Sequence, residues 1–282
     1  MRTNYHTHCQ YCDGRSTAAE MAQAAFDKGY RVLGFSSHAP LPFPTSWNME
    51  EARLPAYAAE VRTLAAAWAD RGLEILLGLE IDWIEGERWA GDALFEEAGL
   101  DYRICSVHYI RPRAGRGFTV DCPAAEFEEG VRTEAGGDGK VVYRSYYRDL
   151  ARAIEAGGFD ILGHLDLVTR NNRGGRWFDE DSKAYLDAAM EAVELLGESG
   201  AVVEINLGAV TRGKAAAPHP SLPLLRRLRE LGVPITFSAD AHETAHLGAN
   251  LEVAREAARA AGYKSVAVLT KGNWKEVGIE TT

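Results

Sequence analysis

The sequence predicts an α/β fold in which parallel strands close into a distorted barrel. Strand-like and helix-like segments alternate along the whole chain, an order that builds βα units around a parallel sheet. Several strand-like runs are apolar nearly throughout, as expected for strands covered on both faces. Histidines and carboxylates recur directly after these runs. A barrel brings all such strand ends to one mouth, whereas an open sheet would spread them along an edge.

The predicted elements follow one another in a regular order. Seven strand candidates lie at residues 4–8, 31–36, 74–81, 102–107, 160–162, 202–206 and 235–238, with a late one at 265–269. Amphipathic segments predict helices at residues 17–28, 54–71, 146–156, 179–198, 222–231 and 244–261. Thr17 and Glu20 fit a capping box at the start of the first helix, and Gly29, Gly72 and Gly232 mark the ends of three helices.

One stretch, residues 111–140, departs from this pattern. It is rich in glycine, arginine and glutamate and shows no helical or strand periodicity. A long segment of this kind in a compact protein is usually a lid or a binding loop. We therefore expect an irregular loop here.

Composition limits the class of protein. Of the 282 residues, 46% are hydrophobic and 26% are charged, which suits one sizeable core and a single domain spanning residues 1–282. The net charge of −10 disfavours nucleic acid as a partner, and no run of about 18 apolar residues predicts a membrane span. Four cysteines do not make a disulfide framework, and no signal peptide is evident, so we expect a cytoplasmic protein.

Side chains that bind metal ions recur where the strand candidates end. His6 and His8 end the first strand, and their i, i+2 spacing places both imidazoles on one face. The later strand ends supply His38, Glu80, His108, His164, Asp240 and His242. A single histidine at such a place is more commonly a structural residue, but repetition of one topological position favours a metal site. Imidazole nitrogens and carboxylate oxygens suit Zn, Mn or Fe, and a glutamate can bridge two ions.

In this order, these motifs resemble the PHP (polymerase and histidinol phosphatase) superfamily. The resemblance spans nearly the whole chain and rests on His6-Thr7-His8, His38, Glu80, Ser106-Val107-His108, Gly163-His164-Leu165-Asp166 and Asp240-Ala241-His242. Residues 6–14, 158–167 and 204–206 are most similar to the monofunctional histidinol-phosphatase branch. Membership implies a distorted (βα)7 TIM-like barrel, with two or three divalent ions (Zn, Mn or Fe) at the C-terminal ends of its strands.

The resemblance also implies how the ligands are shared among the ions. His6, His8, Glu80 and His242 would hold the first ion, Glu80, His108 and His164 the second, and Asp13, His38 and Asp240 the third. Many relatives carry histidine in the place of Asp13, where a carboxylate serves equally well. Cys9 and Cys12 would also fit half of a zinc ribbon, but the sequence contains no second CxxC motif.

The implied reaction is hydrolysis of L-histidinol phosphate to L-histidinol and phosphate, a step of histidine biosynthesis. A hydroxide bridging the ions would attack phosphorus, while Arg170 and Arg212 hold the phosphate group. Asp240 or a bound water would protonate the leaving alkoxide. The expected catalytic residues are therefore Asp240, His242, Arg170 and Arg212.

Substrate contacts are expected from the rim of the barrel. Asn206 and His219, together with the two arginines, are the predicted substrate-binding residues. Asp166 and Glu85 are candidates for meeting the amine and imidazole of the substrate. The loop at residues 111–140 could close over the site, with Arg113 or Arg116 reaching the phosphate.

Two other functions stay open at this point. One is a PHP phosphoesterase that acts on another small phosphomonoester or a nucleotide. The other is a non-catalytic metal-binding PHP domain, which we would expect to have lost ligands, whereas every ligand position is filled here. A proofreading nuclease is disfavoured by the acidic charge and the lack of a polymerase domain. A homo-oligomer is also compatible with the sequence.

Overall fold

The computed structural model describes residues 1–112 and 115–282. Within these residues the strands are β1 (Arg2–Asn4), β2 (Tyr30–Phe35), β3 (Glu74–Asp82), β4 (Tyr102–Ser106), β5 (Tyr109–Ile110), β6 (Phe118–Thr119), β7 (Ile161–Leu162), β8 (Val202–Asn206), β9 (Ile235–Ser238), β10 (Ser265–Thr270) and β11 (Asn273–Gly278). The α-helices are α1 (Ala18–Asp27), α2 (Leu54–Ala69), α3 (Ala93–Glu97), α4 (Ala124–Glu134), α5 (Gly139–Ala156), α6 (Lys183–Ser199), α7 (Gly208–Thr211), α8 (Leu222–Glu230) and α9 (Leu251–Ala260). None of the helices in these two ranges combines the length and hydropathy needed to span a bilayer.

Seven parallel strands form the barrel. β1, β2, β3, β4, β7, β8 and β9 lie side by side in that order. The barrel closes just beyond β1 and β9, where Thr7 and Ala241 form a parallel bridge and the His8 amide donates to the Ala241 carbonyl over 2.8 Å. The predicted distorted (βα)7 barrel is confirmed.

The N-terminal end of the barrel is filled with apolar side chains. We call this cluster the barrel floor, and it comprises Tyr5, Val32, Leu76, Tyr102, Ile104, Ile161, Val202, Ala267 and Leu269. The antiparallel hairpin of β10 and β11 covers it, since the Tyr5 hydroxyl donates to the Leu269 carbonyl over 2.9 Å and accepts from the Leu269 amide over 2.7 Å. The Tyr102 side chain lies where Gly34 and Gly78 leave space, because a Cβ would lie 2.4 Å from its hydroxyl at Gly34 and 2.5 Å from its ring at Gly78.

The helix ends follow the predicted signals. The Glu20 amide donates to Thr17 Oγ1 and the Thr17 amide donates to Glu20 Oε2, which completes the capping box of α1. Gly29, Gly72 and Gly232 all adopt positive φ angles directly after helices, the backbone conformation that favours glycine at a helix end. Local sequence signals therefore determine where these helices begin and end.

Several bounds differ from the predicted ones. β1 covers residues 2–4 rather than 4–8. The chain after Asn4 bonds to residues 239–241 to close the barrel, while the Thr7 carbonyl accepts from the Ser36 amide just beyond β2. α5 begins at Gly139, where the Asp138 side chain accepts from the Lys140 amide over 2.8 Å. α9 begins only at Leu251, after a 3-10 turn at Thr244–His246. The late strand is present and pairs with β11, which the sequence did not predict.

The prediction of an irregular loop at residues 111–140 was wrong for most of that stretch. β6 pairs with β5, and α4 buries Phe127, Gly130 and Val131 on one face. Glycine is unfavourable inside a helix, so Gly130 argued against a helix here in the sequence. In the structure a Cβ there would lie 2.4 Å from the Phe118 ring, so the helix packs against β6 only with glycine at this position.

Candidate metal centre

Glu80 lies at the centre of the C-terminal end of the barrel and is 1% exposed. Its Oε2 atom faces three imidazoles, at 3.0 Å from His6 Nε2, 3.5 Å from His8 Nε2 and 2.9 Å from His38 Nδ1. His6 and His8 follow β1, and His38 follows β2, the strand that neighbours β3. The ligand atoms of the three histidines that follow the first two strands therefore surround one carboxylate oxygen.

The second oxygen of Glu80 faces the opposite side of the barrel. Oε1 lies 3.0 Å from His164 Nε2 and 3.5 Å from His108 Nε2, and it accepts a hydrogen bond from the Ser106 hydroxyl over 2.7 Å. His108 and His164 follow β4 and β7, the next strands along the wall. Glu80 thus separates the histidines into two groups and contacts both, as a carboxylate that bridges two ions would.

A further group lies nearer to the solvent. His8, Asp13, His38 and His242 bring ligand atoms within 4.8 Å of one another. His242 Nε2 lies 3.4 Å from Asp13 Oδ1, in the same group as His8 of the first histidine pair. The sharing of an ion by His242 and that pair stays a prediction. Asp240 Oδ1 lies 3.4 Å from both His8 Nε2 and His242 Nδ1, between the groups.

All the predicted ligands therefore meet in one place, which we call the barrel mouth: His6, His8, Asp13, His38, Glu80, His108, His164, Asp240 and His242.

The fit to a divalent metal can be judged from lone pairs. His6 Nδ1 is hydrogen-bonded to Glu204 over 2.9 Å, so a neutral His6 points the Nε2 lone pair at Glu80. His6 Nε2, His8 Nε2, His38 Nδ1 and Glu80 Oε2 are buried without a hydrogen-bond partner among the described residues. Such atoms are rare in folded proteins, and a divalent cation would satisfy them.

Carboxylates behind the imidazoles orient them. His108 Nδ1 lies 3.0 Å from Asp82 Oδ1, and the same oxygen accepts the His108 amide over 2.8 Å. Glu204 serves His6 in the same manner. Such partners fix the tautomer and the ring orientation of metal-binding histidines. Neither acid could be recognised from the sequence, because one interior position on a strand looks like any other before the barrel is closed.

The pKa values of the barrel mouth follow from crowding many titratable groups into a buried space. Burial opposes ionisation of Glu80, yet the surrounding imidazoles, His6 foremost, hold its pKa well below the usual range. Burial also opposes protonation of His6, but Glu204 and Glu80 raise its pKa well above the usual value. Burial and two neighbouring imidazoles lower the pKa of His8. Divalent ions would displace the protons held here, because imidazole ligates in its neutral form.

A cavity of about 990 Å³ opens above the barrel mouth. Aromatic side chains line one part of its wall: Phe43, Trp47 and Tyr109. Charged side chains line another: Asp121, Glu126, Arg170, Arg212 and Lys214. The cavity is large enough for a small phosphorylated molecule together with water.

The two predicted phosphate-binding arginines both line this cavity. Arg170 Nη1 lies 2.7 Å from Asp121 Oδ2, and Arg212 Nη2 lies 3.0 Å from Asp240 Oδ2. Burial disfavours an ionised Asp240, but Arg212 and the adjacent imidazoles hold its pKa well below the usual range. Asp240 is therefore a carboxylate at neutral pH, which suits a metal ligand and disfavours the predicted role as proton donor.

Two predicted substrate-binding residues lie outside the cavity wall. Asn206 is buried, its amide nitrogen donates to Glu204 over 2.7 Å, and its Oδ1 accepts from the Gly208 amide over 2.8 Å. His219 is buried with Nδ1 2.7 Å from Asp166 Oδ1. Both side chains bond to other protein groups, although His219 Nε2 is buried without a hydrogen-bond partner among the described residues. Their contact with substrate stays a prediction.

The other described candidates for substrate contact do not line the cavity either. Asp166 holds His219 and accepts from the Ser221 amide, so it is buried away from the cavity. Glu85 pairs with Arg152 at the surface. Arg116 is not among the cavity-lining residues, and Arg113 lies outside the described residues. Asp121, which the sequence did not single out, supplies an acidic group instead.

The cysteines do not form a metal site in the described parts of the chain. Cys12 Sγ lies 3.5 Å from His8 Nδ1, and Cys9 Sγ lies 3.3 Å from the Ser37 hydroxyl. Burial and the nearby Asp13 raise the pKa of Cys12 to about 12, so it is a neutral thiol. These two residues pack behind the histidines, which argues against a zinc ribbon.

The sequence matches known proteins over most of its length. Residues 4–207 match the PHP domain. A relative from Deinococcus radiodurans, named "Probable histidinol-phosphatase", is 32% identical over 264 residues, covering 93% of this chain and 94% of its own length. The histidinol-phosphatase of Bacillus subtilis is 27% identical and covers 86% of this chain and 94% of its own. The fold and the site are those of a metal-binding α/β barrel.

The chain therefore belongs to the PHP domain family, as its motifs predicted. Among solved structures, histidinol phosphate phosphatase from Lactococcus lactis, in complex with zinc, L-histidinol and phosphate, is 20% identical and has a TM-score of 0.67 over 97% of this chain and 98% of its own. A Listeria monocytogenes structure described as a candidate histidinol phosphatase has a TM-score of 0.79 at 20% identity, over 89% and 99% of the two chains. At this identity the two structures support the fold.

Proposed function

We propose that this chain is a metal-dependent phosphatase that hydrolyses L-histidinol phosphate to L-histidinol and phosphate. The observation that carries the proposal is the placement of Arg170 and Arg212 on the wall of the cavity that contains the carboxylates and imidazoles of the barrel mouth. Guanidinium groups are the preferred partners of a phosphate dianion. The names of the two relatives, which align over nearly their whole lengths, support the choice of substrate.

Two or three divalent ions held by the residues of the barrel mouth would supply a hydroxide nucleophile at neutral pH and neutralise charge on the phosphoryl oxygens. The protein itself binds and orients the phosphate group. Asp240 and Asp121 each hold one guanidinium by an ion pair, so Arg212 and Arg170 are ordered before substrate arrives. Ordered donors contribute most to transition-state stabilisation, because they need no reorganisation during the reaction.

Other side chains on the cavity wall suit the organic half of the substrate. L-Histidinol phosphate carries an amine, cationic at neutral pH, and an imidazole. Asp121 and Glu126 supply negative charge, while Phe43, Trp47 and Tyr109 supply flat apolar surface. Aromatic rings bind both planar rings and cations. We therefore infer that the phosphate lies toward the barrel mouth and the imidazole toward this aromatic wall.

The test is phosphate release from a panel of phosphomonoesters by protein of measured metal content. We expect kcat/KM for L-histidinol phosphate to exceed that for sugar phosphates and nucleoside monophosphates by roughly 100-fold, because missing polar partners are penalised strongly. Equal rates across the panel would favour a broader PHP phosphoesterase. No phosphate release from any ester would favour a non-catalytic metal-binding domain.

A substitution at Glu126 tests the proposed orientation of the substrate in the same assay. Glu126 lines the cavity without an ion pair to either phosphate-binding arginine. Glu126→Gln should raise KM for L-histidinol phosphate and leave that for p-nitrophenyl phosphate, which has no amine, unchanged. An equal change for both esters would contradict the proposed orientation of the substrate.

A further inference from the structure

Glu204 is a fully buried carboxylate inside the barrel, on β8. Its oxygens lie 2.9 and 3.1 Å from His6 Nδ1, and one of them also accepts from the His164 amide over 2.9 Å. The Asn206 side-chain amide donates to the same oxygen over 2.7 Å. One side chain therefore connects the end of β1, the end of β7 and its own strand.

The charge of Glu204 needs compensation. A carboxylate removed from water is destabilising unless a cation or enough hydrogen-bond donors surround it. The ion pairs of the described residues give Glu204 no arginine or lysine partner, only His6. The shortest contact of this ion pair, between Glu204 Oε2 and His6 Nδ1, is 2.9 Å. Glu204 and His6 therefore depend on each other electrostatically.

This pairing has a geometric consequence at the barrel mouth. With Nδ1 bound to Glu204, the His6 ring presents Nε2 to Glu80 at 3.0 Å. The bond to the His164 amide places the backbone of a second histidine, whose Nε2 atom lies 3.0 Å from the other Glu80 oxygen. Glu204 thus acts on ligand atoms on both sides of Glu80 while lying outside the cavity wall.

We propose that Glu204 is a positioning residue that acts on both sides of the metal centre: it sets the tautomer of His6 and the placement of His164, and thereby the affinity for divalent ions. The proposal rests on the proposed function only in that these histidines bind metal. Partners behind metal-binding histidines typically contribute a factor of roughly 10 to 100 in metal affinity. Substrate binding should not depend on Glu204 directly.

The test substitutes Glu204→Gln and measures Zn²⁺ affinity by competition with a chelator, without substrate. A glutamine has one acceptor oxygen for the three donors that Glu204 accepts, and its amide hydrogens would oppose one of them. We expect affinity to fall roughly 10- to 100-fold and the visible spectrum of the Co²⁺-loaded protein to change. KM for L-histidinol phosphate should stay the same once metal is saturating.

A matched control comes from the same fold. Asp166 is also buried and also holds a histidine Nδ1, that of His219, which lies outside the barrel mouth. Asp166→Asn should lower thermal stability without changing Zn²⁺ affinity or the Co²⁺ spectrum. If Glu204→Gln behaves like this control, the role of Glu204 is only structural and the proposal is overturned.

A second variant covers the case in which Glu204→Gln does not fold. Glu204→Asp keeps the charge but shortens the side chain, so the contact with His6 should stretch and Zn²⁺ affinity should fall by a smaller factor. Wild-type affinity in this variant would overturn the proposal. Because these measurements use metal alone, tight Zn²⁺ binding without any phosphatase activity would contradict the proposed function and leave the role of Glu204 standing.

Discussion

The two ends of the barrel are built from the same strands and have opposite chemistry. On β3, Leu76 belongs to the barrel floor, whereas Glu80, further along the same strand, stands at the centre of the barrel mouth. On β8, Val202 packs in the floor, while Glu204 holds a histidine of the mouth. Position along a strand, rather than the strand itself, therefore decides whether an interior side chain serves stability or metal binding.

The floor and the mouth also differ in what stabilises them. The floor gains stability from apolar burial in the protein alone. The mouth crowds carboxylates and imidazoles with unsatisfied atoms into a buried space, which is costly without a cation. We therefore expect changes in the mouth to act on metal and activity, and changes in the floor to act on stability.

The largest effect on the metal centre should come from Glu80→Gln. The substitution removes the charge that faces histidines on both sides of the mouth. We expect loss of bound metal and a fall in kcat of at least ~10³-fold, since ions and the charge stabilisation they provide are lost together. Metal content and phosphate release are the measurements, with circular dichroism to check the fold. Undiminished activity at reduced metal content would contradict the assignment of the mouth.

A smaller effect on the metal centre should follow pH. Burial opposes protonation of His108, but Asp82 and Glu80 raise its pKa from 6.5 to about 10 in the metal-free protein. This proton stabilises the metal-free fold fully below pH 6.5, and that contribution is lost as pH rises through about 10. The same proton competes with metal, so the apparent Zn²⁺ affinity should rise between pH 7 and pH 9, by about tenfold per pH unit for each proton displaced. Chelator competition at the two pH values is the check, and a falling affinity would contradict it.

The smallest effect on the metal centre should come from Leu269→Ala in the floor. Leu269 is buried where the β10–β11 hairpin meets Tyr5. Truncation should lower the free energy of unfolding by about 2–5 kcal/mol. Metal affinity and kcat should stay within about twofold, because distant sites act independently. Lys275→Ala on the exposed face of β11 is the control for hairpin substitutions and should change neither property. Loss of metal in Leu269→Ala would show that the two ends are coupled.

Much of the fold and of the metal centre could be predicted because most of the predicted ligands lie at the end of a strand signal, whereas Asp13 was implied only by the family resemblance. His38, His108 and His164 are all placed by short apolar runs that the structure confirms as strands. Glu204 and Asp82 could not be found in this way, since their role depends on which face of a strand turns inward and on a partner from a distant strand. Asn206 and His219 bond to other protein groups near the mouth, and the sequence alone does not show which polar atoms the protein itself uses.

Closure of the barrel has a consequence for how the chain folds. The Asn4 side chain accepts from the Ala239 amide over 2.7 Å, and His6 and His8 pair with Ala241. These contacts join segments more than 200 residues apart, and contacts of such separation form slowly because a long loop must first be closed. A chain still emerging from the ribosome carries His6 and His8 without Asp240 or His242. The metal centre can therefore assemble only after β9 has been made and docked, so full metal affinity reports that synthesis and folding of the barrel are finished.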